Sequence, residues 1–383
     1  MEILIISGTP GTSEGSVEKF YESLTKKLIT KGQQVTFIFT SEGPTAAKIK
    51  QLGANINIVE MKKKIDMKAI IKILKLLWVI HPHIIHIHFD KAVYNSLLAL
   101  LFYGATFRDI SIFVHHHSKP LKIGSHYKNF IKFLPRRLLY KLIKVTSVFV
   151  SEEQAKILIK NHLIYNNQPI KIINNGVDIN VFSPINSQKE KMELRRKLLL
   201  PLDCIITIYV AGFRKEKNHK YLISAFNIAK NNCDRKILPI LLLVGYGPEE
   251  DNILKLISTY NLESNVIITG KRNDVNLFLK SSDIAVSTSL TEGFGLGILE
   301  AMATGLPIIS LESGFTQNFV EDNLNGFVVK KDSEPDSFAK KLIYLWENKD
   351  LRIKMGSISR EKSKKYSLDN QISEVLKLYG LFS

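Results

Sequence analysis

The 383-residue chain has only two cysteines, Cys204 and Cys233, well apart in sequence. Two scattered thiols make neither a disulfide framework nor a zinc site, which fits a reducing cytosol. No apolar run approaches the roughly 18 residues that span a bilayer. The opening stretch MEILIISGTPG has no basic n-region and reads as a first strand, not a signal peptide. Repeats and low-complexity tracts are also missing. One sign of charge is missing from a whole region: from Ile110 to Ser151 there is no Asp or Glu. That region carries Lys119, Lys122, Lys128, Lys132, Arg136, Arg137, Lys141 and Lys144, interleaved with Phe130, Phe133, Leu134, Leu138, Leu139 and Leu142. Basic and apolar residues at helical spacing fit a helix lying on an anionic membrane surface. The plainer alternative is a solvated face in a lysine-rich protein. The net charge of +17 would also suit nucleic acid, but no nucleic-acid-binding motif accompanies it, and no such partner is expected.

What is present is an ordinary globular composition, 45% hydrophobic and 23% charged. The length suits two domains. Both halves begin alike. EILIIS is a short apolar run, GTPGTSEGS a loop, and Val17, Phe20, Leu24 and Leu28 recur at helical spacing before the strand-like KGQQVTFIFT. IIHIHF and ISIFVH predict further strands. In the second half IITIYVAG, ILPILLLVG, NVIITG and DIAVST do the same, with helical patterns between them. Strands alternating with helices predict α/β domains with parallel sheets, here two Rossmann-like ones. The turn-rich IINNGVDINVFSPINSQ, residues 172–188, is the expected join. The expected division is 1–182, 183–365, and an amphipathic C-terminal helix, 366–383, packing back toward the N-terminal domain.

Three loops carry candidate chemistry. EGFGLGILEAMATGLPII holds Glu292 and Glu300 eight positions apart, with Gly293, Gly295 and Gly297 between them. Glycine costs about 1 kcal/mol in a helix interior, so these glycines are expected in a strand-to-helix loop. Free N–H groups and the dipole at a helix start favour a phosphate. Glu300, about one turn in, is placed to accept two hydroxyl hydrogen bonds, as from a ribose; Glu292 would sit nearer the far end of the ligand. A tight turn with a capping carboxylate is the bland alternative. LLLVGYGPEEDNIL brings Gly245 and Gly247 after a strand, followed by Pro248 at a first helical position. Many βα turns look like this. VAGFRKEKNHKYL clusters Arg214, Lys215, Lys217 and Lys220 after another strand. Arg and Lys there suit a diphosphate; taken alone, the cluster reads first as a solvated basic loop.

With these residues in view, EGFGLGILEAMATGLPII resembles the E-x7-E motif of retaining GT-B glycosyltransferases of family GT4. VGYGPE, NNGVDINVF, KNHKYLISAF, ITGKRNDV and SSDIAVSTSLTEGFG match that family's segments in order, and FVHHHS and HPHIIHIHF match its N-terminal half more loosely. The resemblance is greatest to bacterial enzymes of capsule, exopolysaccharide and cell-wall glycan assembly. It implies a GT-B fold, two Rossmann-like domains facing a cleft, with acceptor binding in 1–182 and nucleotide-sugar binding in 183–365. It implies that Glu300 binds the donor ribose, and that Glu292 with the backbone of Phe294, Gly295 and Leu296 holds the sugar and diphosphate. Gly245 and Gly247 would frame the donor. Lys217 matches the family's diphosphate lysine. Gly212 and Phe213 stand where the family's arginine is commonest, which leaves Arg214 to act from a shifted position. HHHS matches the histidine facing the donor sugar, with His117 the first choice and His115 the second. A structural histidine cluster is the alternative. Gly15-Ser16 stands where a glycine pair usually contacts acceptor or phosphate.

The resemblance further implies transfer with retention, through a front-face, oxocarbenium-like state, from a nucleoside-diphosphate sugar, UDP-linked by family frequency. The acceptor would be a glycan or lipid-linked saccharide. Positive groups would stabilise the departing diphosphate, and domain closure would complete the site. No DxD motif appears, so no metal and no cofactor are expected. The expected place is the cytoplasm, peripheral on the inner face of the membrane. A non-catalytic GT-B partner subunit is the alternative from another class. A nicotinamide dehydrogenase would want G-x-G-x-x-G and a later acidic residue, which SGTPGTSEG does not supply. A glycogen phosphorylase-like enzyme would need a far longer chain.

Overall fold

The computed structural model describes residues 1–8, 16–105, 109–117, 126–165, 167–234 and 236–382, with the backbone alone at residues 16, 91, 126–132 and 315. Gly15, Lys119 and Lys122 lie outside the described residues, as do the side chains of Ser16, Lys128, Phe130 and Lys132.

The chain forms two units, Met1–Asn175 with Asp369–Ser383, and Gly176–Leu368. In the first, β1 (Glu2–Ser7), β2 (Gln34–Phe39), β3 (Asn55–Ile58), β4 (Ile84–His88), β5 (Ser111–His116), β6 (Thr146–Phe149) and β7 (Ile170–Ile172) form a seven-stranded parallel sheet ordered β3-β2-β1-β4-β5-β6-β7. In the second, β8 (Ile205–Val210), β9 (Pro239–Val244), β10 (Val266–Ile268), β11 (Ile284–Ser287), β12 (Ile308–Leu311) and β13 (Gly326–Val329) form a six-stranded parallel sheet ordered β10-β9-β8-β11-β12-β13. Central strands are covered on both faces, which is why Ile3–Ile6 and Leu241–Leu243 are fully buried apolar runs.

Each sheet reverses its winding once, between β1 and β4 in the first unit and between β8 and β11 in the second. In open α/β sheets ligands bind beyond the carboxyl ends of the strands at such a switch point.

Residues 176–187 belong with the second unit, so the chain passes over at Asn175–Gly176, not at 182–183. The reason is a set of backbone bonds. The Val177 N–H donates to the Tyr366 carbonyl at 2.9 Å, and the Leu368 N–H to the Val177 carbonyl at 2.8 Å. Arg360 Nη1 donates to the carbonyls of Ile179 (3.0 Å), Phe182 (2.9 Å) and Ala303 (2.7 Å). Gly176 must be glycine, because a Cβ there would lie 2.6 Å from the Leu368 Cα. The C-terminal helix Leu368–Leu378 packs on the first unit, where Tyr379, just beyond it, is buried against His86 with a 2.6 Å hydrogen bond.

Candidate functional site

In the second unit the loops after β8 and β11 meet. The first carries Arg214 and a short 3-10 turn, Lys215–Lys217. The second carries Glu292 and leads into the helix Leu296–Ala303. They are fastened together. The Leu290 N–H donates to the Glu216 carbonyl at 2.8 Å. Thr288 Oγ1 donates to the carbonyls of Lys217 and Asn218, each at 3.1 Å. The Tyr209 hydroxyl donates to the Lys217 carbonyl and also meets Ser289 Oγ, both at 2.9 Å. Burial, only partly offset by the hydrogen bond to Ser289, pushes the Tyr209 phenol well above its usual range, so it stays neutral and can donate. These polar residues under the loop are the ones that sequence reasoning missed. Their signal is the run Ser287-Thr288-Ser289, three hydroxyls where an apolar strand ends.

The result is a fixed ammonium opposite a fixed carboxylate. Lys217 Nζ pairs with Glu292 Oε1, with side chains only 16% and 14% exposed. Two charges held this far from water interact more strongly than a surface pair, and the pair stands at the switch point of the sheet. Arg214 behaves differently. Its side chain is 61% exposed and turns toward Glu216, 3.9 Å away. The expected diphosphate arginine therefore does not join the Lys217–Glu292 pair.

The glycines divide by their physical reason. Gly295 has φ +84° and caps the helix, a backbone setting that favours glycine. Gly297 lies inside the helix, not in the preceding loop as expected. A Cβ there would approach the Val210 carbonyl oxygen to 3.1 Å, so glycine lets the helix start close against the end of β8. Gly293 has open space around it and no unusual backbone angle. Phe294 is buried, edge-on to Phe319 at 5.2 Å, and anchors the loop. Glu300 is half-buried, one turn beyond the helix start. Gly245 and Gly247 pack the loop after β9 onto the loop after β8. A Cβ on Gly247 would lie 2.4 Å from the Phe213 carbonyl oxygen, and the Phe213 N–H donates to the Tyr246 carbonyl at 2.9 Å.

The switch point of the first unit is built of histidine. In β4, His86 and His88 alternate onto one sheet face; His115, opposite His88 in β5, shares it, and His117 follows two residues on. The rings of His115 and His117 stack at 4.3 Å. His117 Nε2 meets His88 Nδ1 at 2.9 Å, one donating and the other accepting. Burial pushes His117 down to about 4, against the opposing charge of Asp90, so it is a neutral imidazole near pH 7. It is half-buried, whereas His115 is fully buried. Of the two, only His117 keeps some exposure, although its Nδ1 is itself buried and without a hydrogen-bond partner.

His116 points to the other face. Its Nε2 meets Ser147 Oγ at 3.3 Å, and Arg136 Nη2 donates to its Nδ1 at 3.4 Å. Arg136, counted in the basic stretch, is only 2% exposed. It donates to Tyr140 Oη at 2.8 Å and to Asp90 Oδ1 at 2.9 Å. Arg136 therefore belongs to the interior, not to a membrane-facing surface. The outward side of the same helix, His126–Leu142, instead shows Leu134, Leu138 and Leu142, 39%, 53% and 50% exposed, beside exposed Lys141.

Comparison with known proteins settles the family. Residues 17–181 match the sequence family described as Glycosyltransferase Family 4, and residues 190–362 match Glycosyl transferases group 1. This chain belongs to the GT4-type glycosyltransferases. It is 26% identical over 358 residues, 92% of this chain and 88% of the other, to the UDP-Gal:alpha-D-GlcNAc-diphosphoundecaprenol alpha-1,3-galactosyltransferase of Escherichia coli. It is 28% identical over 219 residues to the N-acetyl-alpha-D-glucosaminyl L-malate synthase of Bacillus anthracis, a match spanning 57% of this chain and 55% of that one. Among solved structures, a glycosyltransferase from Rickettsia africae superposes with a TM-score of 0.82 at 21% identity, over 99% of this chain and 97% of that one. Anabaena HepE in complex with UDP-glucose gives 0.79 at 18% identity, over 99% of each chain. The fold of this glycosyltransferase is thus GT-B. No described helix is long and apolar enough to cross a membrane.

Proposed function

We propose that this glycosyltransferase moves a sugar, with retention at the anomeric carbon and without a metal ion, from a UDP-linked donor to a glycan or lipid-linked saccharide acceptor in cell-envelope polysaccharide synthesis. The observation that carries the reading is the Lys217–Glu292 pair at the switch point of the second sheet, one loop before the helix Leu296–Ala303.

In this reading Glu300 accepts hydrogen bonds from the ribose hydroxyls. The diphosphate lies against the start of the helix, where the backbone N–H groups of Phe294, Gly295 and Leu296 and the helix dipole favour an anion. Gly293 has room around it for a ligand to approach. Lys217 then turns from Glu292 to the phosphate, and Glu292 is freed for a sugar hydroxyl. His117, neutral and held by His88 through Nε2, offers its other ring nitrogen for one hydrogen bond at the sugar. The bond from C1 to the β-phosphate oxygen breaks, and the acceptor hydroxyl oxygen bonds to C1 on the same face. Its proton passes to the departing phosphate oxygen. The charge developing on that oxygen is what Lys217 and the N–H groups stabilise. Arg214, long and exposed, adds its charge once the diphosphate is bound.

The donor and acceptor named for the Escherichia coli relative, and the UDP-glucose held by HepE, support a UDP-sugar and a lipid-linked acceptor. The exposed leucine stripe beside Lys141 supports placement on an anionic membrane surface at the cytoplasmic face.

The test is a screen of nucleotide sugars for protection against thermal unfolding, with Glu300→Ala beside the wild type. A donor present at about 100 times its Kd adds roughly 2.7 kcal/mol. One UDP-sugar should protect the wild type and not Glu300→Ala, and NMR of the product should show the donor's anomeric configuration. The outward-turned Arg214 favours one alternative, a non-catalytic GT-B partner subunit. Donor protection with no turnover on any lipid-linked saccharide would select it.

A further inference from the structure

The first unit holds a second, unassigned constellation. His86, His88 and His115 are fully buried, and one ring nitrogen from each lies within 4.8 Å of the others. Buried polar atoms are nearly always hydrogen-bonded, yet His86 Nε2, His88 Nε2 and both nitrogens of His115 have no partner. Three such rings side by side in one small space are costly unless something fills the centre.

We propose that His86, His88 and His115 bind a divalent transition metal ion such as Zn²⁺.

The surroundings prepare the rings for it. The Tyr379 hydroxyl lies 2.6 Å from His86 Nδ1, and His117 Nε2 lies 2.9 Å from His88 Nδ1. If each Nδ1 donates, each Nε2, which has no hydrogen-bond partner, keeps its lone pair for an ion. This is the outer-shell arrangement that orients metal-bound imidazoles. Burial, then the nearby His117, pushes His86 down to about 3, and burial with the neighbouring rings holds His88 and His115 well below their usual range. All three are therefore neutral ligands at pH 7. Three imidazoles suit Zn²⁺ and leave a fourth position for water. Zn–N bonds of about 2.0–2.1 Å place tetrahedral ligands roughly 3.4 Å apart, so the rings must converge by about an ångström. Stacked rings on two neighbouring strands can do this by small side-chain rotations. The half-buried His117 marks the side from which an ion enters. The site lies in the first unit and meets the proposed reaction only at His117, which touches His88; metal retention is measured without a donor, so its outcome is separate from that of the proposed reaction.

The full chain, stripped with a chelator and dialysed against buffered Zn²⁺, should retain about one ion, and Co²⁺ in its place should show the visible absorption of a four-coordinate site. Tyr379→Phe keeps the ring and removes the hydroxyl that orients His86. Loss of an outer-shell partner of this kind costs 10–100-fold in metal affinity, and that weakening is expected. His88→Gln should abolish retention, and exposed His81→Gln should leave it unchanged. If His88→Gln does not fold, Tyr379→Phe decides alone. No retained ion in the wild type, or wild-type affinity in Tyr379→Phe, overturns the proposal.

Discussion

The two units share a topology and differ in what they place at the switch point. The second unit puts a lysine and a carboxylate there, fastened by hydroxyl groups and backbone, with glycines letting three loops pack closely. The first puts neutral imidazoles there, backed on the other sheet face by the buried Arg136. Topology supplies the address; side chains decide whether it presents a pair of fixed charges or a cluster of neutral imidazoles. Both are built on strand ends, where pleat alternation and short loops hold side chains rigidly.

The contrast should break first with pH. His86, His88, His115, His116 and His117 are all held below 6.5 in the fold, burial being the main cause. In the second unit the one such histidine is His219, lowered to about 4 by burial and then by Lys217. A folded pKa below the unfolded one means that the unfolded chain binds more protons as pH falls. The stabilising contribution is full above about pH 6.5 and is lost between there and the folded values, by up to about 1.4 kcal/mol per pH unit for each histidine. With a chelator present, amide exchange read by mass spectrometry should accelerate in β4 and β5 between pH 6.5 and 4 well before β8 and β11. Equal acceleration would erase the distinction.

Next in size is Arg136→Ala. Breaking a buried charge pair costs about 3–5 kcal/mol, and the half-exposed Asp90, which water can reach, places this case at the low end. Denaturant unfolding should show the loss, and exchange should localise it to the first unit. In the second unit Lys217→Ala should lower kcat by about 100–1,000-fold, the usual cost of one charge-stabilising group, while a smaller effect on melting separates chemistry from folding. The smallest contrast lies between two glycines. Gly247→Ala meets the Phe213 carbonyl in a backbone region unfavourable to alanine and should cost about 1–3 kcal/mol. Gly293→Ala, with open space around it, should stay within about 0.5 kcal/mol and show any effect in donor affinity instead.

Most strands were legible as largely apolar runs closed by a turn signal or a polar residue: β1, β2, β4, β5, β8, β9, β10 and β11 follow from EILIIS, KGQQVTFIFT, IIHIHF, ISIFVH, IITIYVAG, ILPILLLVG, NVIITG and DIAVST. β3, β6, β7, β12 and β13 were not: they are three or four residues long, and unlike the equally short β10 and β11 they were not picked out by a longer stretch such as NVIITG or DIAVST. A run that short has no period to read. Their partners in the sheet, not their own composition, make them strands. His86 and His88 did leave a trace, two polar residues at period two in an otherwise apolar strand, but their neighbour His115 is set by register alone.

By itself, then, the sequence determined the α/β class, the glycine-rich loops and the candidate residues for a nucleotide sugar, because periodicity and motif spacing are local. Only the tertiary structure decided that Lys217 meets Glu292 across 75 positions, that Arg214 turns outward, that Arg136 is interior, and that three histidines share one buried space. Each depends on which strands are neighbours and on which face a side chain emerges, and neither is written in any single segment.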